Sequence, residues 1–504
     1  MSRYDDDRRA QGGRPSGQGA RGRNGQGSRG RSPRGTGSRG RDSAPRDKKL
    51  RDKELGRDRL VARDVLRAVR ERDTYANLLL PRLLRERGLS GRDAALATEL
   101  TYGTLRTQGT LDAVIAAAAE RPAAEIDGEL LDVLRLGAYQ LLRTRIAPHA
   151  AVATSVDLVR SEKGQGPAGF VNAVLRKVSQ RTEEQWIDAL APSIIDDLIG
   201  NLAFTYAHPR WIAEVFFAAL GRSAGELQAA LAADDERPIV HLVARPGQIT
   251  AEELALISGG EEGRYSPYCV YLPEGDPGRL DAVREGFAGV QDEGSQLVAL
   301  GLARAELVGD DTGRWLDLCA GPGGKAALLG SLAAVDGAHL DAVEVSEHRA
   351  ELIAKVVDGL PVDVHVADGR TSGLEPGFDR ILVDAPCSGL GSLRRRPEAR
   401  WRRTPAEVPE LVSLQTELLT EALRLVRPGG VVVYSTCSPH PAETTEVVAA
   451  VLAADPGVTQ LDARPFVAGD MIEASSLGTG PHVQLWPHRQ DTDAMFLAAL
   501  RRDA

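Results

Sequence analysis

Asp317-Leu-Cys-Ala-Gly-Pro-Gly-Gly-Lys325 follows a short apolar run, Trp315–Leu318, and opens a helical stretch over Lys325–Ala333. A strand that ends in a glycine-rich turn and passes straight into a helix is the opening unit of an α/β sheet. Gly321, Gly323 and Gly324 permit a tight turn and a close backbone approach to a ligand. The helix start adds free N–H donors and a positive dipole end. The turn is not a phosphate-binding P-loop: Cys319 stands where that loop needs its first Gly, and Ala326 follows the Lys. It does satisfy the dinucleotide pattern from Gly321 to Ala326, with an acid further on at Glu344. Taken alone, the turn fits a nicotinamide cofactor and an adenosyl cofactor equally, because both need a carboxylate for the adenosine ribose.

Downstream of about Gln291 the alternation continues. Strands are expected at Leu340–Val345, Asp363–Val366, Arg380–Val383, Val431–Tyr434 and Met495–Leu500, with a helix over His348–Val357. The pattern predicts a largely parallel sheet. Upstream, from about Arg59 to Ile195, the periodicity is helical. Val61, Val65, Leu66 and Val69 share one face, as do Phe170, Val171, Val174, Leu175 and Val178. Residues 196–290 are mixed, with Pro-containing turns and short strand-like runs at Ile239–Val243 and Val270–Leu272. Four segments are therefore expected: a disordered basic arm over 1–57, an all-α domain over 58–195, a small α+β linking region over 196–290, and an α/β domain over 291–504.

The arm differs in composition from the rest. Residues 1–60 hold 18 Lys and Arg against 8 Asp and Glu, whereas the whole chain of 504 residues has a net charge of −9. From Arg8 to Arg41 there are ten Arg and no acid. Such a segment cannot bury enough apolar surface to fold alone, and it is either an RNA-binding arm or a solubilising tail. The chain has no run long and apolar enough for a membrane helix. It also has no secretory leader. A cytoplasmic, monomeric protein without a membrane partner is expected. The four cysteines, Cys269, Cys319, Cys387 and Cys437, form no CxxC pair. Neither a metal site nor a disulfide framework is expected.

Two of those cysteines choose between the cofactors. Asp384-Ala-Pro-Cys387-Ser-Gly-Leu-Gly391 ends the fourth expected strand, and Ser435-Thr-Cys437-Ser-Pro439 ends the fifth. Ligands of open α/β sheets bind outside the carboxyl ends of the strands. Both thiols and the Gly-rich turn would then face one crevice. A lone Cys at a strand end is more often a small buried hydrophobe. A pair, each followed by Ser and set beside a Pro or Gly turn, points instead to thiol chemistry.

These residues resemble the RNA 5-methylcytosine methyltransferases of the Nol/Nop/Sun group, and most closely its bacterial RsmB/Fmu/Sun branch. The resemblance rests on Cys319–Lys325, Asp384–Gly391, Arg394–Trp401, Ser435–Ser438 and Gln291-Asp-Glu-Gly-Ser-Gln296. The tail Asp491-Thr-Asp-Ala-Met-Phe496 is similar to the family's last strand, with Ala494 and Met495 departing from its usual Gly and aromatic. The helical part resembles the branch's NusB-like RNA-binding domain at Ala95–Arg106, Leu134–Leu141 and Gly169–Arg176.

The resemblance implies an all-α NusB-like domain ahead of a class I, Rossmann-like, seven-stranded methyltransferase domain that uses S-adenosyl-L-methionine. Cys319, Ala320, Gly321, Pro322, Gly323, Gly324 and Lys325 would form the cofactor loop. Glu344 would take the ribose hydroxyls and Asp368 the adenine amine. Cys437 would attack C6 of cytosine, making C5 nucleophilic. Cys387 would assist release, Asp384 would hold the base edge, and Lys325 would support Asp384 or the cofactor carboxylate. Arg394, Arg395, Arg396, Arg400, Arg402 and Arg403, with Trp401, are expected to clamp RNA. Cys319 and Cys269 are read as structural. The expected substrate is small-subunit (16S) ribosomal RNA, with tRNA as the alternative. Three other classes compete: a non-catalytic NusB-like antitermination module, a nicotinamide dehydrogenase, and an exocyclic-amine methyltransferase. None gives the paired thiols a role.

Overall fold

The computed structural model describes residues 56–468 and 473–503. The Arg–Gly arm expected over 1–57 lies outside them except for its last two residues. Eight helices come first: Arg57–Arg72, Ala76–Glu86, Gly91–Arg106, Gln108–Ala119, Gly128–Arg143, Pro148–Lys163, Gln165–Val178 and Glu183–Leu190. Their apolar stripes close on one core that includes Val61, Val65, Leu66, Val69, Val171, Val174, Leu175 and Val178, the faces expected from the periodicity. Helix starts are fixed by side chains: Asp127 accepts from the N–H groups of Glu129 and Leu130, and Thr182 forms a capping box with Gln185.

The linking region is more helical than its mixed composition indicated. Helices Leu198–Thr205, Arg210–Ala219 and Ala224–Asp235 precede a four-stranded antiparallel sheet. That sheet comprises β1 (Val240–Ala244), β2 (Glu261–Glu262), β3 (Cys269–Leu272) and β4 (Ala288–Val290), in the order β2-β3-β1-β4. The three helices pack through Leu202, Ile212, Phe216, Leu227 and Leu231 against Leu390, Leu393 and Trp486 of the α/β domain. They serve as a packing layer for the α/β domain.

The α/β domain holds β5 (Arg314–Asp317), β6 (His339–Glu344), β7 (Val362–Val366), β8 (Phe378–Asp384), β9 (Val426–Thr436), β10 (Val458–Leu461), β11 (Val483–Gln484) and β12 (Phe496–Arg502). The main path runs β10-β12-β9-β8-β5-β6-β7, with β11 paired to β12. Strands β5 to β9 are parallel, and β12 is antiparallel to β9 and β10. Helices Glu293–Arg304 and Gly324–Asp336 belong to the core on one face, and Val408–Leu425 and Thr445–Ala454 to that on the other. Chain order reverses between β5 and β8, so a crevice opens there at the strand ends.

Beyond β7 comes only the turn Gly369–Thr371, not a helix. One face of β6 and β7 is accordingly polar, with His339 against Asp363 at 3.0 Å and His365 against Asp341 at 2.6 Å. Among the described residues, no helix is long and apolar enough to cross a membrane.

Candidate active site

The switch point places the Gly-rich turn beside the Cys387 loop, because β5 and β8 are hydrogen-bonded neighbours. Strand β9 lies next along, in parallel register with Asp384 opposite Ser435. The chain leaves β8 and β9 side by side, with Cys387 three residues past Asp384 and Cys437 two past Ser435. Their sulfurs are 3.4 Å apart and partly buried.

The two thiols differ in acidity. A hydrogen bond from the Cys387 thiol holds Cys437 below the usual cysteine range, against the opposing effect of burial, with Arg396 and Lys325 adding positive charge. The same contact, with burial, pushes Cys387 well up. Of the two thiols, Cys437 is the more readily ionised and Cys387 the more reluctant.

A single side chain registers the two loops. Glu443, fully buried, accepts from the Ser388 N–H at 2.7 Å and from both the Ser388 and Ser438 hydroxyls, the latter at 2.6 Å. Gln415 also donates to it, at 3.2 Å, and reaches Pro386 O at 2.9 Å. Each serine follows one of the cysteines, so the carboxylate fixes the spacing of the sulfurs. Gly391 brings in the tail: its N–H donates to Cys437 O and its carbonyl accepts from Ala494 N, both at 2.8 Å. A Cβ on Gly391 would lie 2.1 Å from Ala494 O, so only glycine allows that approach.

Lys325 and Asp384 form an ion pair at 2.6 Å, and Ser435 donates to Asp384 at 3.1 Å. Burial disfavours the Lys325 charge, but Asp384 outweighs it and the ammonium is held above its ordinary range. Behind them, burial and the nearby Asp384 push the Asp317 carboxyl up to about 7. Cys319 is raised well above its ordinary value by burial and by Asp317 and Asp384, which leaves it chemically quiet. Burial and Glu293 do the same to Cys269 in the small sheet.

The cofactor loop forms a cradle without side chains. Ala320 N–H donates to Val343 O at 2.9 Å, and a Cβ on Gly321 would meet Glu344 Oε2 at 2.1 Å. Glu344 sits at the end of β6, with Arg349 at 2.6 Å on its other oxygen. Asp368 follows β7 and is clasped by Arg370 at 2.6 Å. Both carboxylates stand at strand ends beside exposed arginines, where a ligand's hydroxyl or amine can replace the guanidinium. The two carboxylate acceptors and the open glycine backbone fit an adenosyl group.

The arginine segment departs from expectation. Arg394 is bound to Asp491, and Arg395 to Asp292 at 2.6 Å and Asp493 at 2.9 Å. Arg400, fully buried, donates to the carbonyls of Arg106 at 3.1 Å, Ala207 at 3.4 Å and Asp234. Trp401 donates to Leu105 O at 2.8 Å. Arg402 donates to Val69, Asp73 and Thr74 carbonyls at 2.8–3.0 Å, and Arg403 pairs with Glu407. The cause is simple: these donors already have acceptors within the chain, and three of them, Arg400, Trp401 and Arg402, strap the α/β domain to the helical domain. Arg396 alone of the seven is exposed, and its guanidinium donates no hydrogen bond among the described residues.

Sequence reasoning missed Glu443 and Ser435. The motif Gln291–Gln296 turns out to be a joint. Glu293 accepts from Tyr265 N, Ser266 N and the Tyr271 hydroxyl, tying the small sheet to the α/β domain.

Known proteins match this arrangement along nearly the whole described chain. A family profile for 16S rRNA methyltransferase RsmB/F matches residues 305–501, and one for the NusB family matches residues 57–180. The putative methyltransferase Rv1407 of Mycobacterium tuberculosis is 61% identical over 444 residues, covering 88% of this chain and 96% of that protein. The probable ribosomal RNA small subunit methyltransferase B of Bacillus subtilis is 30% identical over 472 residues, covering 88% of this chain and 98% of that one. The crystal structure of PH0851 shares the fold with a TM-score of 0.72 at 22% identity, covering 89% of this chain and 98% of that one. The chain therefore belongs to the RsmB family of ribosomal RNA small subunit methyltransferases, with a NusB domain ahead of a Rossmann-like methyltransferase domain.

Proposed function

We propose that the chain methylates C5 of a cytidine in small-subunit (16S) ribosomal RNA, using S-adenosyl-L-methionine and a covalent bond from Cys437 to C6. The observation that carries this is the thiol pair: two sulfurs 3.4 Å apart at the ends of adjacent parallel strands, with acidities split in opposite directions. Methylation of an exocyclic amine needs no thiol, and a purely RNA-binding module needs no pair.

Bound in the Gly321–Gly324 cradle, with Glu344 on the ribose and Asp368 on the adenine amine, S-adenosyl-L-methionine supplies the methyl group. Cys437 Sγ forms its bond to C6 as a thiolate, which makes C5 an enamine carbon able to take that methyl. Asp384, aligned by Lys325 and Ser435, holds the N3 and 4-amino edge of the base. Once Cys437 is bonded to C6, Cys387 gives its own proton to solvent and, as the thiolate, takes the proton from C5; the C–H electrons form the C5–C6 double bond and Cys437 leaves C6 as a thiolate, restoring the aromatic ring. The target base must leave its stack to reach the buried sulfurs, which favours loops or a flipped nucleotide.

The test is transfer of labelled methyl groups to undermethylated small-subunit ribosomal RNA, followed by digestion and identification of the labelled nucleoside. Label in 5-methylcytidine is expected. Label on another atom would discard the cytosine-5 chemistry, and label on tRNA alone would change the substrate.

A further inference from the structure

Tyr75 is an exposed aromatic that the fold takes trouble to hold still. It lies between helices Arg57–Arg72 and Ala76–Glu86 of the NusB domain and is 45% exposed. Its neighbours on both sides are pinned by the strap from the other domain. Arg402 donates to the carbonyls of Asp73 and Thr74, at 3.0 and 2.8 Å. The buried Glu398 accepts from Ala76 N at 3.1 Å. The guanidinium carbons of Arg402 and Arg396 lie 5.8 and 6.0 Å from the ring centroid. Arg402 is fully occupied by carbonyls, whereas Arg396 is exposed and its guanidinium has no acceptor among the described residues. Arg396 N–H donates to Ser392 O at 3.0 Å, one residue past Gly391, whose N–H binds Cys437 O at 2.8 Å, and the Arg396 charge favours the Cys437 thiolate.

A rigid, solvent-facing ring beside a free guanidinium matches what single-stranded RNA needs: a stacking surface for a base and a cation for the backbone. Packing does not explain it, since the anchoring is done by the main chain on either side of the ring. We propose that Tyr75 and Arg396 form a nucleotide-binding step at the mouth of the thiol site. The Tyr75 ring stacks on a base flanking the target nucleotide, and Arg396 contacts the intervening phosphate. The NusB domain thereby helps to place the substrate next to the chemistry. This rests on the reading of RNA as substrate, but not on which atom is methylated.

The experiment measures binding of the full chain to undermethylated small-subunit ribosomal RNA across a salt series, for wild type, Tyr75→Ala, Tyr75→Phe and Arg396→Ala. Base stacking on an aromatic predicts a loss of about 10-fold or more for Tyr75→Ala. Tyr75→Phe should stay within about 2-fold, because the stacking face is kept. Arg396→Ala should lower the slope of log affinity against log salt by about one, while Tyr75→Ala should leave it unchanged. Cofactor affinity and melting temperature should match wild type in all variants. Wild-type RNA affinity in Tyr75→Ala would overturn the proposal. So would a loss of RNA binding that runs parallel with lost melting temperature and cofactor affinity, since that marks a packing role. Because the readout is binding, label on an atom other than C5 would overturn the proposed chemistry and leave this test standing.

Discussion

Replacing Glu443 should separate the two thiol loops, and the cost can be worked from its partners. In Glu443→Leu, four donors lose an acceptor, but not all are stranded. Gln415 keeps Pro386 O, and the Ser388 and Ser438 hydroxyls, 3.0 Å apart, can satisfy one another in one direction. That leaves the Ser388 N–H and one hydroxyl proton buried without a partner. At about 1–3 kcal/mol for each stranded group, the variant should lose about 2–6 kcal/mol of stability. Glu443→Gln is gentler. Its amide oxygen can serve the Ser388 N–H and Gln415, and the hydroxyls can turn to accept from its NH2. The loss is then the charge assistance, about 1–3 kcal/mol. Urea denaturation would read both changes. The functional readout is the rate at which Cys437 is alkylated as a function of pH. A loosened Cys387 contact removes the leading cause of its acidity, so the alkylation profile should move to higher pH in both variants. A Glu443→Leu protein with the wild-type denaturation midpoint and alkylation profile would refute this account of the site.

Other perturbations give separate checks. Arg400→Leu removes three hydrogen bonds that join the domains and should cost about 3 kcal/mol or more; limited proteolysis should free the helical domain, with cofactor binding retained. Gly391→Ala drives a Cβ into Ala494 O and Cys437 O, so the loop must shift; single-turnover methylation should fall at least about 10-fold, with a stability loss of about 1–3 kcal/mol. For Asp317 the native carboxyl, at about 7, lies above the unfolded value of 3.8, so the native state holds the proton longer. Its contribution is therefore favourable at low pH and declines as pH rises from about 4 to about 7, by up to about 1.4 kcal/mol per unit. Denaturation of Asp317→Asn against wild type should show the difference growing over that window and levelling above it.

Much of the fold was legible because periodicity reports burial directly. The five parallel strands lie where apolar runs end in Gly, Asp or Ser turns, and the helical faces Val61–Val69 and Phe170–Val178 enter the core as spaced. Two strands were not legible. β10 and β11 are short, and their residues Thr459, Gln460 and Gln484 carry no apolar alternation to mark a strand. The helices of the linking region were hidden because Pro209 and the turns between them break the pattern. In the site, the meeting of the cysteine loops follows from their places at strand ends, and the Lys325–Asp384 pair is one of the two roles the family resemblance implied for Lys325. The fate of the arginines does not. The acceptors of Arg400, at Arg106, Ala207 and Asp234, lie 166 to 294 residues away, and a charge run looks the same whether it meets phosphate or its own carbonyls. Glu443 was obscured for a related reason, since its role exists only once two loops 50 residues apart have met.

The central claim is the division of labour between the thiols, and denaturing gel analysis of protein–RNA mixtures tests it most directly. Wild type, Cys387→Ala and Cys437→Ala would each be mixed with undermethylated small-subunit ribosomal RNA and S-adenosyl-L-methionine, then denatured. The account predicts a denaturant-stable protein–RNA adduct that accumulates in Cys387→Ala, and neither adduct nor product in Cys437→Ala. An adduct that persists in Cys437→Ala, or methylation that proceeds without Cys437, would contradict it.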